Sequence, residues 1–244
     1  MQIDYAIFAT DNNSLYNHFW EITSEVCLKV LGVTPVLFNI CDQDSDFYED
    51  KYGIIKKIKS VEFFDTGFQS QIVRMYGCKY FPENVCITCD LDMIMISRSY
   101  FIDQVIDFDD DSFIIYSSDA YANKGQHRYP ICYNAAKGKH FNSVLDCDVS
   151  FQEYVYRLDS FLSNWACDEI YFTKKLDSSD FSNVVKLSRG WNRRTGIANG
   201  RIDRASWSWR KGVPYIDCHC LRPYVKYKSE LDNLKNVILE GGLS

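Results

Sequence analysis

The chain has 244 residues, 46% hydrophobic and 16% aromatic, which is enough apolar material for a full core and excludes a disordered protein. Twenty-seven Lys and Arg against 33 Asp and Glu give a net charge of -6, so no global basic field attracts nucleic acid or an acidic membrane, and any bound phosphate must be held locally. No basic segment followed by an apolar one opens the chain, and no stretch nears the roughly 18 apolar residues of a membrane span, so a cytoplasmic protein is expected.

Residues 3 to 10 are rich in β-formers and stop at Asp11-Asn12-Asn13, a cluster suited to turns and helix caps. Leu15, Phe19, Ile22, Val26 and Val30 then recur at helical spacing, with Gly32 where a C-terminal cap belongs. Residues 35 to 40 read as a second strand, which makes the beginning a right-handed β-α-β unit. Residues 41 to 65 read as a loop, a helical turn and a short strand at 54 to 58. A helix is predicted over 68 to 79, with Ile72, Val73, Met75 and Tyr76 buried and Arg74 pointing elsewhere. One strand is predicted over 85 to 96, Ser97 caps a helix running to Ile106, and another strand covers 113 to 116. Residues 119 to 138 read as a loop with short strands, 151 to 161 and 168 to 176 as helices, and 184 to 187 as a late strand. Residues 190 to 212 are basic, Trp-rich and irregular. No repeat or Pro/Gly linker divides the chain, so one α/β domain is expected, with a mixed, mostly parallel central sheet flanked by helices.

Ten cysteines include a C-x-x-C at Cys86 and Cys89 and a C-H-C at Cys218, His219 and Cys220. The first pair lies in a strand-like run and neighbours on an extended segment face opposite ways, so structural zinc is disfavoured against reduced, buried thiols. The most informative run is 85 to 96, where an apolar segment is broken by Asp90 and Asp92. Side chains at i and i+2 share one strand face, so both carboxylates can converge on one cation. Hard oxygens with open positions suit Mn²⁺ or Mg²⁺ carrying a diphosphate; taken alone, the pair also fits two solvated acids at a strand end.

These elements, in this order from residue 7 to about residue 224, resemble the GT-A fold nucleotide-sugar glycosyltransferases. Most similar are glycosyltransferase family 8 (the glycogenin and bacterial lipooligosaccharide galactosyltransferase group) and the small soluble glycosyltransferases of large algal viruses. The resemblance implies a nucleotide-binding half, 1–118, and an acceptor-side half, 119–244, with a C-terminal metal and phosphate motif. It also implies that the strand and loop at Ala9, Thr10, Asp11 and Asn12 hold the uridine of a UDP-sugar, with Tyr16 placed to stack on the base. Ser70-Gln71-Ile72-Val73-Arg74 is similar to the helix whose arginine reaches the donor sugar or the aspartates. Asp90-Leu91-Asp92 matches the family signature, so Asp90 and Leu91 would meet the donor and Asp90 and Asp92 the metal. Asn134-Ala135-Ala136 is loosely similar to the family's Asn-Ala-Gly segment near the sugar.

Trp165-Ala166-Cys167-Asp168-Glu169 resembles the acidic pair at the head of a helix beneath the acceptor, which makes Asp168 and Glu169 the catalytic candidates; helix capping is the plainer reading. The stretch from Tyr215 to Tyr224 looks like a shortened form of the closing motif, in which His219 completes the metal site and Arg222 binds the diphosphate. An imidazole beside carboxylates favours Mn²⁺ over Mg²⁺. Arg201, Arg204 and Arg210, among Trp207 and Trp209, read as a flap over the donor, a part of the acceptor site or a solvated basic loop. The expected activity is metal-dependent transfer from a UDP-sugar to a hydroxyl of a glycan or glycoconjugate in glycan biosynthesis, with retention of configuration. The competing readings are an inactive sugar- or nucleotide-binding protein of the same fold, and an Asp-x-Asp phosphohydrolase.

Overall fold

Alternating side chains build the centre of the protein. In β1 (Tyr5–Thr10) Ala6 and Phe8 enter one apolar layer while Ile7 enters the other, the division required of a strand covered on both faces. The computed structural model describes residues 1–16, 18–42, 51–159, 165–189 and 200–243. The predicted stretches at 43–50, 160–161 and 190–199 therefore lie outside the described residues.

After β1 comes α1 (Phe19–Val26), prolonged as a π-helical turn over Cys27–Leu31. Leu15 lies before the helix and is exposed, against the predicted start. Gly32 ends the helix at φ 73°, and its N–H donates to the Leu28 carbonyl oxygen at 3.2 Å, in the left-handed cap that glycine adopts without strain. The chain returns through β2 (Thr34–Ile40) and β3 (Ile54–Ile58), each parallel to the strand before it in the sheet. Then α2 (Thr66–Tyr76) starts at Asp65, whose carboxylate accepts from the Phe68 N–H at 2.9 Å.

The predicted strand over 85 to 96 is two strands in different sheets. β4 (Val85–Thr88) runs parallel to β1, and β5 (Met93–Met95) pairs elsewhere; between them the chain turns, with the Met93 N–H donating to the Asp90 carbonyl oxygen at 3.1 Å. Asp90 and Asp92 thus leave the carboxyl end of β4 on a turn, and the same-face strand argument does not place them. The helix capped by Ser97 is short, α3 (Arg98–Phe101), followed by a 3₁₀ turn. Next come β6 (Phe113–Ile115), β7 (Asn134–Lys137), α4 (Gly138–Leu145), α5 (Phe151–Leu158), α6 (Cys167–Ser178) and β8 (Val184–Lys186). The irregular basic stretch contains β9 (Arg201–Asp203), and the chain closes with β10 (Asp217–His219) and α7 (Lys228–Leu239). Neither α4 nor α7 was anticipated, and neither has a side-chain N-cap.

The main sheet has seven strands in the order β3-β2-β1-β4-β7-β6-β8, and only β7 runs against the rest. The strand order turns back at β1 and β4, so the loops after their carboxyl ends face one crevice, the position where open α/β sheets bind ligands. A second sheet, β5-β10-β9, packs at that end. Among the described residues no helix is long and apolar enough to cross a membrane. The ten cysteines are free thiols and nine are buried.

Candidate active site

The crevice is a cavity of about 600 Å³. Of the donor, metal and catalytic candidates, Ala9, Thr10, Asp11, Tyr16, Arg74, Asp90, Leu91, Asp92, Asp168, Glu169, His219 and Arg222 all line it. Asn12 does not; it is exposed, and Asn13 lines the wall instead. Asn134 is also outside: its side-chain amide is buried and donates to the Pro130 and Ile131 carbonyl oxygens at 2.8 and 2.9 Å. The loosely matched segment Asn134-Ala135-Ala136 therefore does not line the cavity.

At the β1 end, Asp11 forms an Asx turn by accepting from the Asn13 N–H at 3.1 Å, and its other oxygen accepts from the Thr66 hydroxyl at 2.8 Å. Its carboxylate thus ties the β1 loop to the start of α2. Two turns along that helix, Arg74 is nearly buried and divides its guanidinium between Asp90 and Asp168, while its Nε donates to the Gln71 carbonyl oxygen at 3.1 Å. The arginine does meet two carboxylates, but they are the first aspartate of the Asp-x-Asp and the acid of α6. A planar fork with fixed donors suits this bridging where a lysine would not.

Asp168 is not the cap of α6. The N-cap is Ala166, without a side-chain bond, and Asp168 is 2% exposed with its carboxylate turned to Arg74 and the Glu169 N–H. Glu169 accepts from the Tyr121 hydroxyl at 2.8 and 3.0 Å, and Arg128 Nε lies 3.0 Å from its Oε2. Burial pushes the Glu169 carboxyl above its ordinary value and the Asp168 charge adds to this; Tyr121, Arg128 and Arg74 oppose the shift without cancelling it. Trp165, beside this pair on the cavity rim, is 79% exposed.

The second sheet assembles the opposite wall. Antiparallel pairing sets His219 across from Met93, next to Asp92, and parallel pairing sets Asp203 across from His219. Three groups surround Asp92 Oδ2: Arg204 Nη1 at 2.7 Å, Arg222 Nη1 at 3.6 Å and His219 Nε2 at 3.8 Å. His219 Nδ1 lies 3.6 Å from Asp203 Oδ2, which leaves Nε2 facing the cavity. Burial lowers the His219 pKa and Arg204 and Arg201 add to this against Asp92 and Asp203, favouring the neutral ring that ligates metals. Arg222 is anchored by a bond to the Tyr16 hydroxyl and sits 5.0 Å from that ring's centroid.

Among the described residues, no three His, Cys, Asp or Glu side chains are gathered tightly enough to form a closed cation site. The donors nevertheless fit Mn²⁺ or Mg²⁺ in kind. Adjacent ligands of an octahedral ion stand about 3 Å apart, so His219 Nε2 and Asp92 Oδ2, at 3.8 Å, would have to draw together to share one. The carboxylate behind His219 is the usual support of a metal-bound imidazole. Each aspartate is paired with an arginine: Arg74 with Asp90, and Arg204 with Asp92.

Sequence reasoning missed Asp203, Tyr121 and Arg128 as supports of the site. It left Arg204 in a group of three that the structure separates. Arg201 turns inward to Asp217, Arg204 meets Asp92, and Arg210 does not line the cavity. Trp207 and Trp209 are partly buried against the core.

No protein-family model matches the chain, and no curated protein matches it in sequence. Solved structures do match it in shape. The glycosyltransferase GlyE of Streptococcus pneumoniae TIGR4 is similar at a TM-score of 0.52 and 11% identity over 98% of this chain, and its apo form at 0.50 and 10% over 99%. This chain spans 63% of the length of GlyE. The galactosyltransferase LgtC, solved with donor and acceptor sugar analogues, is similar at 0.53 and 10% identity, covering 98% of this chain and 96% of LgtC. At such identities the likeness establishes architecture: the chain has the GT-A fold, a mixed and mostly parallel sheet flanked by helices.

Proposed function

We propose that the protein is a metal-dependent glycosyltransferase that moves a sugar from a UDP-sugar to a hydroxyl of a glycan or glycoconjugate. The observation that carries this reading is one cavity at the carboxyl ends of β1 and β4 in which Asp90, Asp92, His219 and Arg222 stand with Asp168 and Glu169. The neighbours' fold supports it, because GlyE is a glycosyltransferase and LgtC was solved with donor and acceptor sugar analogues.

In this reading the β1 loop at Ala9, Thr10 and Asp11 receives the nucleoside, beside the Tyr16 ring. Mn²⁺ or Mg²⁺ held by Asp90, Asp92 and His219 would neutralise the leaving diphosphate, the largest charge that develops. Arg222, already oriented by Tyr16, supplies a guanidinium to the same phosphates. Arg74 holds the Asp168 carboxylate in place, so that it stabilises positive charge at the anomeric carbon or attacks it, with retention of configuration. Trp165 offers an exposed aromatic face on which an acceptor sugar ring can stack.

Glu169, with its raised pKa, is suited to taking the proton of the acceptor hydroxyl as a base. The Tyr121 hydrogen bonds favour its charged form, so Tyr121→Phe should raise the Glu169 pKa further. The acidic limb of the pH–rate profile is then expected to move to higher pH; an unmoved limb would show that Glu169 does not set it.

The proposal as a whole is tested by calorimetry. UDP should bind at least about tenfold more tightly with Mn²⁺ than with EDTA, because a diphosphate beside two aspartates is repelled unless a cation intervenes. Equal affinity in both conditions removes the metal bridge.

A further inference from the structure

Asp92 Oδ2 is approached by two guanidiniums, and they are held differently. Arg222 is fixed by the Tyr16 hydroxyl as well as by its 3.6 Å approach to Asp92, and Arg74 is fixed by Gln71, Asp90 and Asp168. Among the described residues Arg204 bonds through its guanidinium to Asp92 alone, at 2.7 Å. Its backbone is firm, since it opens a 3₁₀ turn capped by the Asp203 carboxylate, which accepts from the Ala205 N–H at 2.8 Å. The side chain is 27% exposed at the cavity wall, against 7% for Asp92. A rigid base, one releasable contact and an open side are the properties of a side chain that changes partner.

The oxygen Arg204 occupies is the one that His219 Nε2 faces at 3.8 Å, and so the one a cation shared by Asp92 and His219 would take. A guanidinium and a divalent ion repel each other, and at hydrogen-bond range in a partly desolvated wall that repulsion is strong. We propose that Arg204 is a resident counter-cation of Asp92 that competes with the metal and, when metal and nucleotide bind together, moves to the diphosphate. It thereby gives a buried carboxylate, which Arg222 approaches only to 3.6 Å, its one counter-charge at hydrogen-bond distance among the described residues, and makes metal binding depend on the nucleotide that gives the arginine a new anion. This inference rests on the metal-dependent reading above.

The test compares the wild type, Arg204→Gln and Arg204→Lys. Mn²⁺ is titrated alone, with free ion read by its electron paramagnetic resonance signal, and UDP is titrated at saturating Mn²⁺ by calorimetry. Arg204→Gln should bind Mn²⁺ alone at least about fivefold more tightly and UDP–Mn²⁺ at least about fivefold more weakly, two changes of opposite sign. Arg204→Lys, which keeps the charge, should stay near the wild type for the metal and lose part of the nucleotide affinity. A purely structural role would weaken both ligands together. Unchanged Mn²⁺ affinity in Arg204→Gln, or unchanged UDP affinity, overturns the exchange. If the wild type shows metal-promoted UDP binding and the variants match it, only this inference falls; if the wild type shows none, the metal-dependent reading falls with it.

Discussion

Asp168→Asn is expected to lower sugar transfer by about 10²- to 10³-fold, equivalent to about 2.7–4 kcal/mol of transition-state stabilisation, while UDP and Mn²⁺ still bind. The substitution keeps size and the ability to accept a hydrogen bond from Arg74, whose charge remains paired with Asp90. What it removes is a negative charge 2% exposed to solvent, in a setting where positive charge develops at the anomeric carbon of the donor in the proposed reaction. A fall in kcat with little change in nucleotide affinity is the signature of an interaction made in the transition state. Steady-state kinetics, calorimetry with UDP and Mn²⁺, and NMR of the product anomer check it. Turnover within about threefold of the wild type would reduce Asp168 to a structural partner of Arg74. An inverted product together with a dead variant would make it a general base.

Asp217→Asn should be the most destabilising single change away from the cavity, by about 3–5 kcal/mol, or about 6–20 °C in Tm. The carboxylate is completely buried and is gripped from two sides. Arg189 forms a fork to both oxygens, Arg201 donates to them at 3.0 and 2.8 Å, and the Tyr133 hydroxyl donates at 3.0 Å. Burial by itself would raise this carboxyl, but the two guanidiniums outweigh it and hold it at about 2. An amide removes the charge that both arginines face in a poorly solvated place. The depressed pKa also fixes the sign of the pH dependence. The Asp217 contribution is present above the ordinary aspartate value of 3.8 and is lost as pH falls through about 2. Between those limits the wild type should lose stability relative to Asp217→Asn, which has no such titration. Thermal melts of both proteins from pH 6 down to 2.5 measure the convergence. A constant gap across that range would show that the cluster does not titrate as described.

This cluster also explains why the short strand β9 is not visible in the basic stretch. Arg201 alternates with Asp203 on a three-residue strand, too short for a period to be visible, and its partner Asp217 is 16 residues away. Composition alone says "basic loop", whereas sheet pairing turns one arginine inward and sets the next, Arg204, on a residue 112 positions distant.

The amino-acid sequence by itself determined those features whose physics is local. The near-continuous apolar, β-forming runs over 5 to 10 and 34 to 40 specify strands buried on both faces, Gly32 ends a helix through its own backbone freedom, and Asp65 and Ser97 cap helices within four residues of themselves. The aspartates at 90 and 92 stood out for the same reason, as charges that an apolar run does not carry without compensation. Tertiary structure alone decided what compensates them. Arg74 reaches across 94 positions to Asp168 while holding Asp90, and the pairing of β10 with β5 and β9 brings His219 and Asp203 to the turn that follows β4. The helices α4 and α7 likewise begin without side-chain caps and owe their place to packing. Charge partners are chosen by which groups a fold leaves beside each other in low dielectric, a property of distances in space that no spacing along the chain encodes.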